Sequence, residues 1–155
     1  MRILEHITNS IKQAKVDPEP FPHMYIRNFF EENFYNKLLD SLPEKEKFVP
    51  INKTGSVSAD YPEERFIFDI NPSVLGSFKE KDQEVFSDIV NSFLSVNFFN
   101  SVFSKFQSTI DNRVKNFSEE EIKLFGKNNF DYEGRIALVK DYTKYQLGAH
   151  TDSPN

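Results

Sequence analysis

His150 and Asp152 stand two residues apart in the run Tyr142-Thr143-Lys144-Tyr145-Gln146-Leu147-Gly148-Ala149-His150-Thr151-Asp152-Ser153-Pro154-Asn155. On an extended backbone such a pair projects to one face. An imidazole nitrogen and a carboxylate oxygen then converge on one point, which is the chemistry of a metal site. They make up two-thirds of a 2-His-1-carboxylate set, which leaves open positions on Fe(II) for a co-substrate and dioxygen. The sequence has no cysteine, so a metal must be held by His and carboxylates. Gly148 lets the backbone turn or approach closely just ahead of the pair. A His-x-Asp tripeptide is short, and a surface hydrogen bond between the two side chains is its plain alternative.

The elements that must position this pair are legible in outline. Arg135-Ile136-Ala137-Leu138-Val139-Lys140-Asp141-Tyr142 reads as a strand buried on both faces in its middle. Upstream, Ile3, Leu4, Ile7, Ile11 and Ala14 share one helical face, and Asp17-Pro18 with Pro20 ends that helix. His23 to Asn28 reads as a short strand. A second helix begins near Glu31-Glu32, carries the stripe Phe34, Tyr35, Leu38, Leu39 and Leu42, and stops at Pro43. Glu44 to Glu64 reads as a loop whose Glu44-Lys45-Glu46-Lys47 run is solvated. Arg65 to Ile70 alternates as a strand, with Phe66, Phe68 and Ile70 opposite Arg65, Ile67 and Asp69.

A long helical region starts near Asp82 as N-cap, places Phe86, Ile89, Val90 and Phe93 on one face, and breaks near Asn97. Phe99, Val102, Phe103, Phe106 and Ile110 continue a similar face. Ser118 and Glu121 form a capping box for a short helix that Gly126 can end, with Asn128-Asn129 as a turn. Helices thus dominate the first four-fifths and sheet signals collect at the end. One or two strands with an apolar face need neighbours, which leads to the expectation that residues 1–155 are one domain with an incomplete sheet. In it, 1–130 are mainly helical support and 131–155 hold the first core strands.

Composition narrows the classes. The chain is 38% hydrophobic and 28% charged with a formal charge of -5, which suits a globular protein and gives no basic face for nucleic acid. Seventeen Phe and no Trp supply large rings with no polar atom to satisfy, so many should be core. No apolar run approaches the ~20 residues that span a bilayer, and the N-terminus is not a signal peptide. The default compartment is the cytoplasm, with no membrane partner.

An apolar strand ending at Tyr142, a glycine-containing turn and His150-Thr151-Asp152-Ser153-Pro154 resemble the iron-binding segment of the 2-oxoglutarate/Fe(II)-dependent oxygenases, in particular the prolyl-hydroxylase-like members. The specific likeness covers Arg135 to Pro154; the opening agrees in the order of its elements. The resemblance implies an α+β fold in which N-terminal helices pack on the start of a double-stranded β-helix (jelly-roll, cupin-like) core. It implies His150 and Asp152 as the first two iron ligands and Tyr142 as a contact to 2-oxoglutarate, an ordinary strand-end aromatic being the alternative. Tyr145 lines the substrate pocket in one reading and packs as a turn residue in the other. Leu147 stands where several prolyl hydroxylases carry a second Tyr.

The cofactors implied are Fe(II), 2-oxoglutarate and dioxygen, with ascorbate an option. The reaction implied is oxidative decarboxylation of 2-oxoglutarate coupled to hydroxylation of a small molecule or a protein side chain. The family's distal His and its Arg or Lys for the far carboxylate normally follow many residues later. The other histidines are His6, expected solvated, and His23, expected to bond locally. The expectation is therefore an N-terminal portion of an oxygenase, inactive alone. Two other classes stay open: a non-catalytic helical interaction module with an accidental His-x-Asp, and a Zn(II) metallohydrolase.

Overall fold

A computed structural model of the chain describes residues 2–125 and 134–146. They form a mixed α+β structure of helices and small antiparallel sheets. They divide into two compact units: one from residues 2–41, 72–125 and 134, the other from 42–71 and 135–146.

The first unit is helical. Helix α1 (Arg2–Gln13) buries Ile3, Ile7 and Ile11, one residue per turn along a single line. Around that line pack Met24, Ile26, Phe29, Phe30, Phe34, Phe93, Phe98 and Val102. Ring centroids of the Phe93–Phe98 and Phe30–Phe34 pairs lie 4.9 and 5.4 Å apart, so the surplus of phenylalanine is in part core, as its chemistry demands. The carbonyls left without helical partners at the end of α1 are met by a cation: Lys105 Nζ donates to Lys12 O (2.6 Å) and Ala14 O (2.7 Å).

Strands β1 (Val16–Asp17) and β2 (His23–Met24) pair antiparallel. The strand expected over 23–28 ends at Met24, since Tyr25 is exposed and Asn28 turns into the left-handed region at φ 51°.

Helix α2 (Glu32–Asp40) starts at its acids but ends with Ser41 as C-cap, so Leu42 lies beyond it and the helix stops before Pro43. Its apolar stripe is wider than its contact, which corrects the reading of one clean buried face. Leu38 is buried and Phe34 half-buried, while Tyr35, Leu39 and Leu42 are 48%, 45% and 47% exposed. Helix α3 (Glu80–Phe93) buries Val85, Phe86, Ile89 and Val90. It begins before Asp82, which is therefore not its N-cap: that carboxylate sits buried in the first turn, where the helix dipole favours it. Helix α4 (Val96–Lys115) is separated from α3 at Leu94-Ser95, two residues before Asn97, near which the break is expected. Ser95 Oγ accepts from Phe98 N at 3.1 Å and caps it.

Helix α5 (Glu119–Phe125) carries the expected capping box: Ser118 Oγ accepts from Glu121 N (3.2 Å) and Glu121 Oε2 from Ser118 N (2.8 Å). The bond from Ser118 N, with Arg113 close by, holds the Glu121 carboxyl below its usual value. A carboxyl lowered on folding contributes stability above its unfolded pKa, and that contribution is lost as pH falls through the folded one. Ser118→Ala should cost α5 about 1 kcal/mol, read as faster amide exchange in 119–125; unchanged exchange would contradict the box. Gly126 and Asn128-Asn129 lie outside the described residues.

The second unit holds a three-stranded sheet in the order β3 (Val49–Pro50), β4 (Arg65–Ile70), β5 (Ile136–Asp141). Both pairings are antiparallel, with Val49 opposite Ile67 and Arg65 to Ile70 opposite Asp141 to Ile136. The Glu44–Glu64 loop thus contains a strand, and two 3₁₀ turns flank it at Lys45–Lys47 and Ile51–Lys53. In β4 both Ile67 and Ile70 are buried although they point to opposite faces, and Phe66 and Phe68 are half-buried. Strand β5 is not buried on both faces: Val139 is 52% exposed, and among the described residues the strand has a neighbour on one side only. The described residues form no double-stranded β-helix.

Candidate functional site

The β4–β5 register decides which side chains meet. Residues paired across antiparallel strands share a face, so Phe66, Phe68 and Ile70 lie with Lys140, Leu138 and Ile136. Tyr142 follows β5 with the parity of Lys140, and its N–H donates to Glu64 O at 2.9 Å, which carries the ladder one step further. Its ring stands edge-on to Phe66 (5.1 Å, 74°). Lys140 Nζ lies 5.4 Å from the centre of that ring and 6.0 Å from the Phe48 ring; Lys45 Nζ lies 5.2 Å from the Tyr142 ring. The three contacts are cation–π in kind.

Two buried side-chain polar atoms lack a hydrogen-bond partner among the described residues, Asn52 Oδ1 and Tyr142 Oη. A buried hydroxyl left unbonded costs about 1–3 kcal/mol, so each such group needs an explanation. Tyr142 offers a donor on an aromatic surface beside two ammonium groups, neither of them in an ion pair among the described residues. The complement to that set is an anion with an acceptor oxygen, such as a carboxylate.

The opposite face is held by charge. Arg65 Nε and Nη2 donate to the two Asp141 oxygens at 2.8 and 2.9 Å, and Arg135 does the same to Asp69 at 2.8 and 3.0 Å. The bond to Asp141 raises the Arg65 pKa and lowers that of Asp141. These pairs are half exposed and add little net stability, but two-pronged geometry fixes a strand register.

Tyr145 lies past a turn that its N–H closes on Tyr142 O (3.0 Å). Its hydroxyl is hydrogen-bonded to that of Tyr61 at 2.7 Å, and the Arg65 guanidinium lies 4.2 Å from its ring centre. Partial desolvation, with the bond to Tyr61, pushes its pKa up to about 12. Hydroxyl and ring are both in contact with the chain's own residues.

No family model, curated protein or solved structure matches the chain.

His150 and Asp152 lie outside the described residues. Among the described residues no group of three or more His, Asp or Glu comes together as a metal site. Both upstream histidines have structural partners. His6 is not simply solvated: its Nε2 is hydrogen-bonded to Asn28 O at 3.1 Å, with Glu31 3.8 Å from Nδ1. His23 bonds locally as expected, Nδ1 to Phe21 O at 2.8 Å. Among the described residues no helix is long and apolar enough to cross a membrane.

No local motif marks Lys45, Lys140 or Tyr61 in the sequence. Lys45 sits in a charged run that looks solvated, and Tyr61 in a polar loop. Lys140 alone carries a signal, a charge next to the apolar centre of a strand.

Proposed function

We propose that this chain carries the co-substrate-binding strand and the first two iron ligands of a cytoplasmic, non-haem Fe(II)- and 2-oxoglutarate-dependent oxygenase built on a jelly-roll core. The observation that carries the reading is the buried Tyr142 hydroxyl, with no partner among the described residues, eight residues before His150. Two lysines beside its ring suit a dicarboxylate such as 2-oxoglutarate. In this reading Tyr142 Oη donates to a co-substrate carboxylate, and Lys45 and Lys140 hold positive potential next to it. The half-buried Phe48, Phe66 and Phe68 limit water around it. The His150 nitrogen and an Asp152 oxygen fill two metal positions. When bound, the iron supplies dioxygen activation coupled to decarboxylation of 2-oxoglutarate. The substrate is a small molecule or a protein side chain.

The test uses the polypeptide translated from the whole reading frame. Succinate should form from 2-oxoglutarate only when Fe(II) and dioxygen are present; no succinate under those conditions overturns the reading. Tyr142→Phe removes one hydrogen bond to a charged group, worth about 1.5–3 kcal/mol. The KM for 2-oxoglutarate should rise tenfold or more by that estimate, and an unchanged KM would remove Tyr142 from the site.

A further inference from the structure

Where α2 meets α3, two polar side chains are buried and neither has a partner among the described residues. Asp82, in the first turn of α3, is 9% exposed, and Ser41, the C-cap of α2, is 7% exposed. Their backbone N–H groups are used: Asp82 N donates to Lys79 O (2.8 Å) and Ser41 N to Lys37 O (3.0 Å). Their side chains are not, since no side-chain hydrogen bond or ion pair of either occurs among the described residues. The α3 dipole favours a negative charge at Asp82, but a buried carboxylate also needs hydrogen-bond donors. Both residues line one cavity of about 280 Å³. Phe34 and Val85 give it an apolar wall, and Asp40, Glu84 and Asp88 add carboxylates to that of Asp82. Two cations of the chain stand at the same cavity, Lys37 and Lys81, both exposed. Neither makes an ion pair among the described residues, so these ammonium groups leave the buried carboxylate unfilled.

We propose that this cavity binds a guanidinium group. Guanidinium is planar, always charged and weakly hydrated, and its fork of N–H donors matches the two oxygens of one carboxylate. The Asp82 carboxylate takes that fork, and Ser41 Oγ accepts a further N–H. A face of the plane lies against Phe34, the cation–π arrangement. Carboxylates outnumber lysines around the cavity, which suits a cation. Its volume lies just below the usual range for whole ligands, which suits a small head group. An ammonium is the poorer match, being compact and strongly hydrated, and the two on the rim do not fill the floor. The group comes from a free small guanidine or from an arginine side chain of a partner. The site uses neither Tyr142 nor the iron ligands and does not rest on the oxygenase reading.

The experiment follows amide chemical shifts of the whole-reading-frame polypeptide during titration with n-butylguanidinium, n-butylammonium and neutral n-butylurea. The guanidinium should give saturable shifts at residues lining the cavity and bind about tenfold tighter than either analogue. Asp82→Asn keeps the shape and removes the charge. It should weaken n-butylguanidinium binding about tenfold or more, the usual effect of losing a hydrogen bond to a charged group. Ser41→Ala should weaken it about threefold. Glu46→Gln, an equal change of charge at an exposed residue outside the cavity, should leave it unchanged. The absence of saturable shifts at millimolar concentration overturns the proposal, and so does an Asp82→Asn variant that binds as the parent does. Equally tight binding of n-butylammonium overturns guanidinium as the ligand. A heptapeptide with one central arginine among glycines separates the two sources. Binding tighter than that of n-butylguanidinium assigns a partner's side chain, and weaker binding assigns a free guanidine. Should Asp82→Asn lose its fold, Ser41→Ala carries the comparison.

Discussion

Phe86→Ala should lower stability by about 3–5 kcal/mol, the usual loss for a fully buried ring. Phe86 is wholly buried on α3 and stacks on Phe78 with ring centroids 4.1 Å apart and planes at 23°. Val85, Ile89 and Val90 beside it on the same helix are buried too. A cavity left there is closed only in part by such neighbours, so the transfer term and the cavity term add. A denaturant titration followed by circular dichroism measures the effect. The control is Val96→Ala, at a side chain 71% exposed, which should stay within about 0.5 kcal/mol. A loss below about 1 kcal/mol for Phe86→Ala would show that the ring is not the keystone of the helical unit.

On the oxygenase reading proposed above, Asp152→Ala should abolish Fe(II)-dependent succinate formation and weaken Mn(II) binding at least a hundredfold. A carboxylate does two things for a divalent ion that a His cannot: it supplies an oxygen donor and it cancels charge. His150→Ala should match it in activity but retain more metal affinity at low ionic strength, because the negative charge survives. Asp152→Glu moves the oxygen outward by one methylene and should bind metal while turning over poorly. Calorimetric titration with Mn(II), beside a succinate assay, reads all three. Succinate formation by Asp152→Ala at the parent's rate would reduce the His-x-Asp pair to coincidence.

How much of this was visible in the sequence follows from which interactions are local. The helices α1, α3 and α5 were legible, because a repeating apolar line and a Ser118/Glu121 box are written within a few residues of each other. Their edges were less so. An acid at a helix start marks Asp82 as a cap; it is buried in the first turn instead, a position set by packing.

Strand β3 is two residues long and includes Pro50, so no period could reveal it. The apolar centre of β5 suggested burial on both faces, but burial depends on neighbours, and Val139 has too few among the described residues. The candidate site is half legible. Only the resemblance singles out Tyr142, by its place eight residues before His150; a strand-end position alone marks it as an ordinary aromatic. That its hydroxyl is buried with no partner among the described residues, and that Lys45 lies beside its ring, depends on chain segments nearly a hundred residues apart.

Strands β4 and β5 are neighbours in space, yet Asp69 and Arg135 are 66 residues apart along the chain. During synthesis, at about 5–20 residues per second, β4 therefore waits several seconds for its partner while α3, α4 and α5 are made and can coil. Closing so long a loop is slow compared with forming helices. Refolding should accordingly show two kinetic stages, far-ultraviolet helix signal first and protection of the β4 amides afterwards. The newborn chain exposes a phenylalanine-rich strand edge in between, the interval in which a chaperone would matter most.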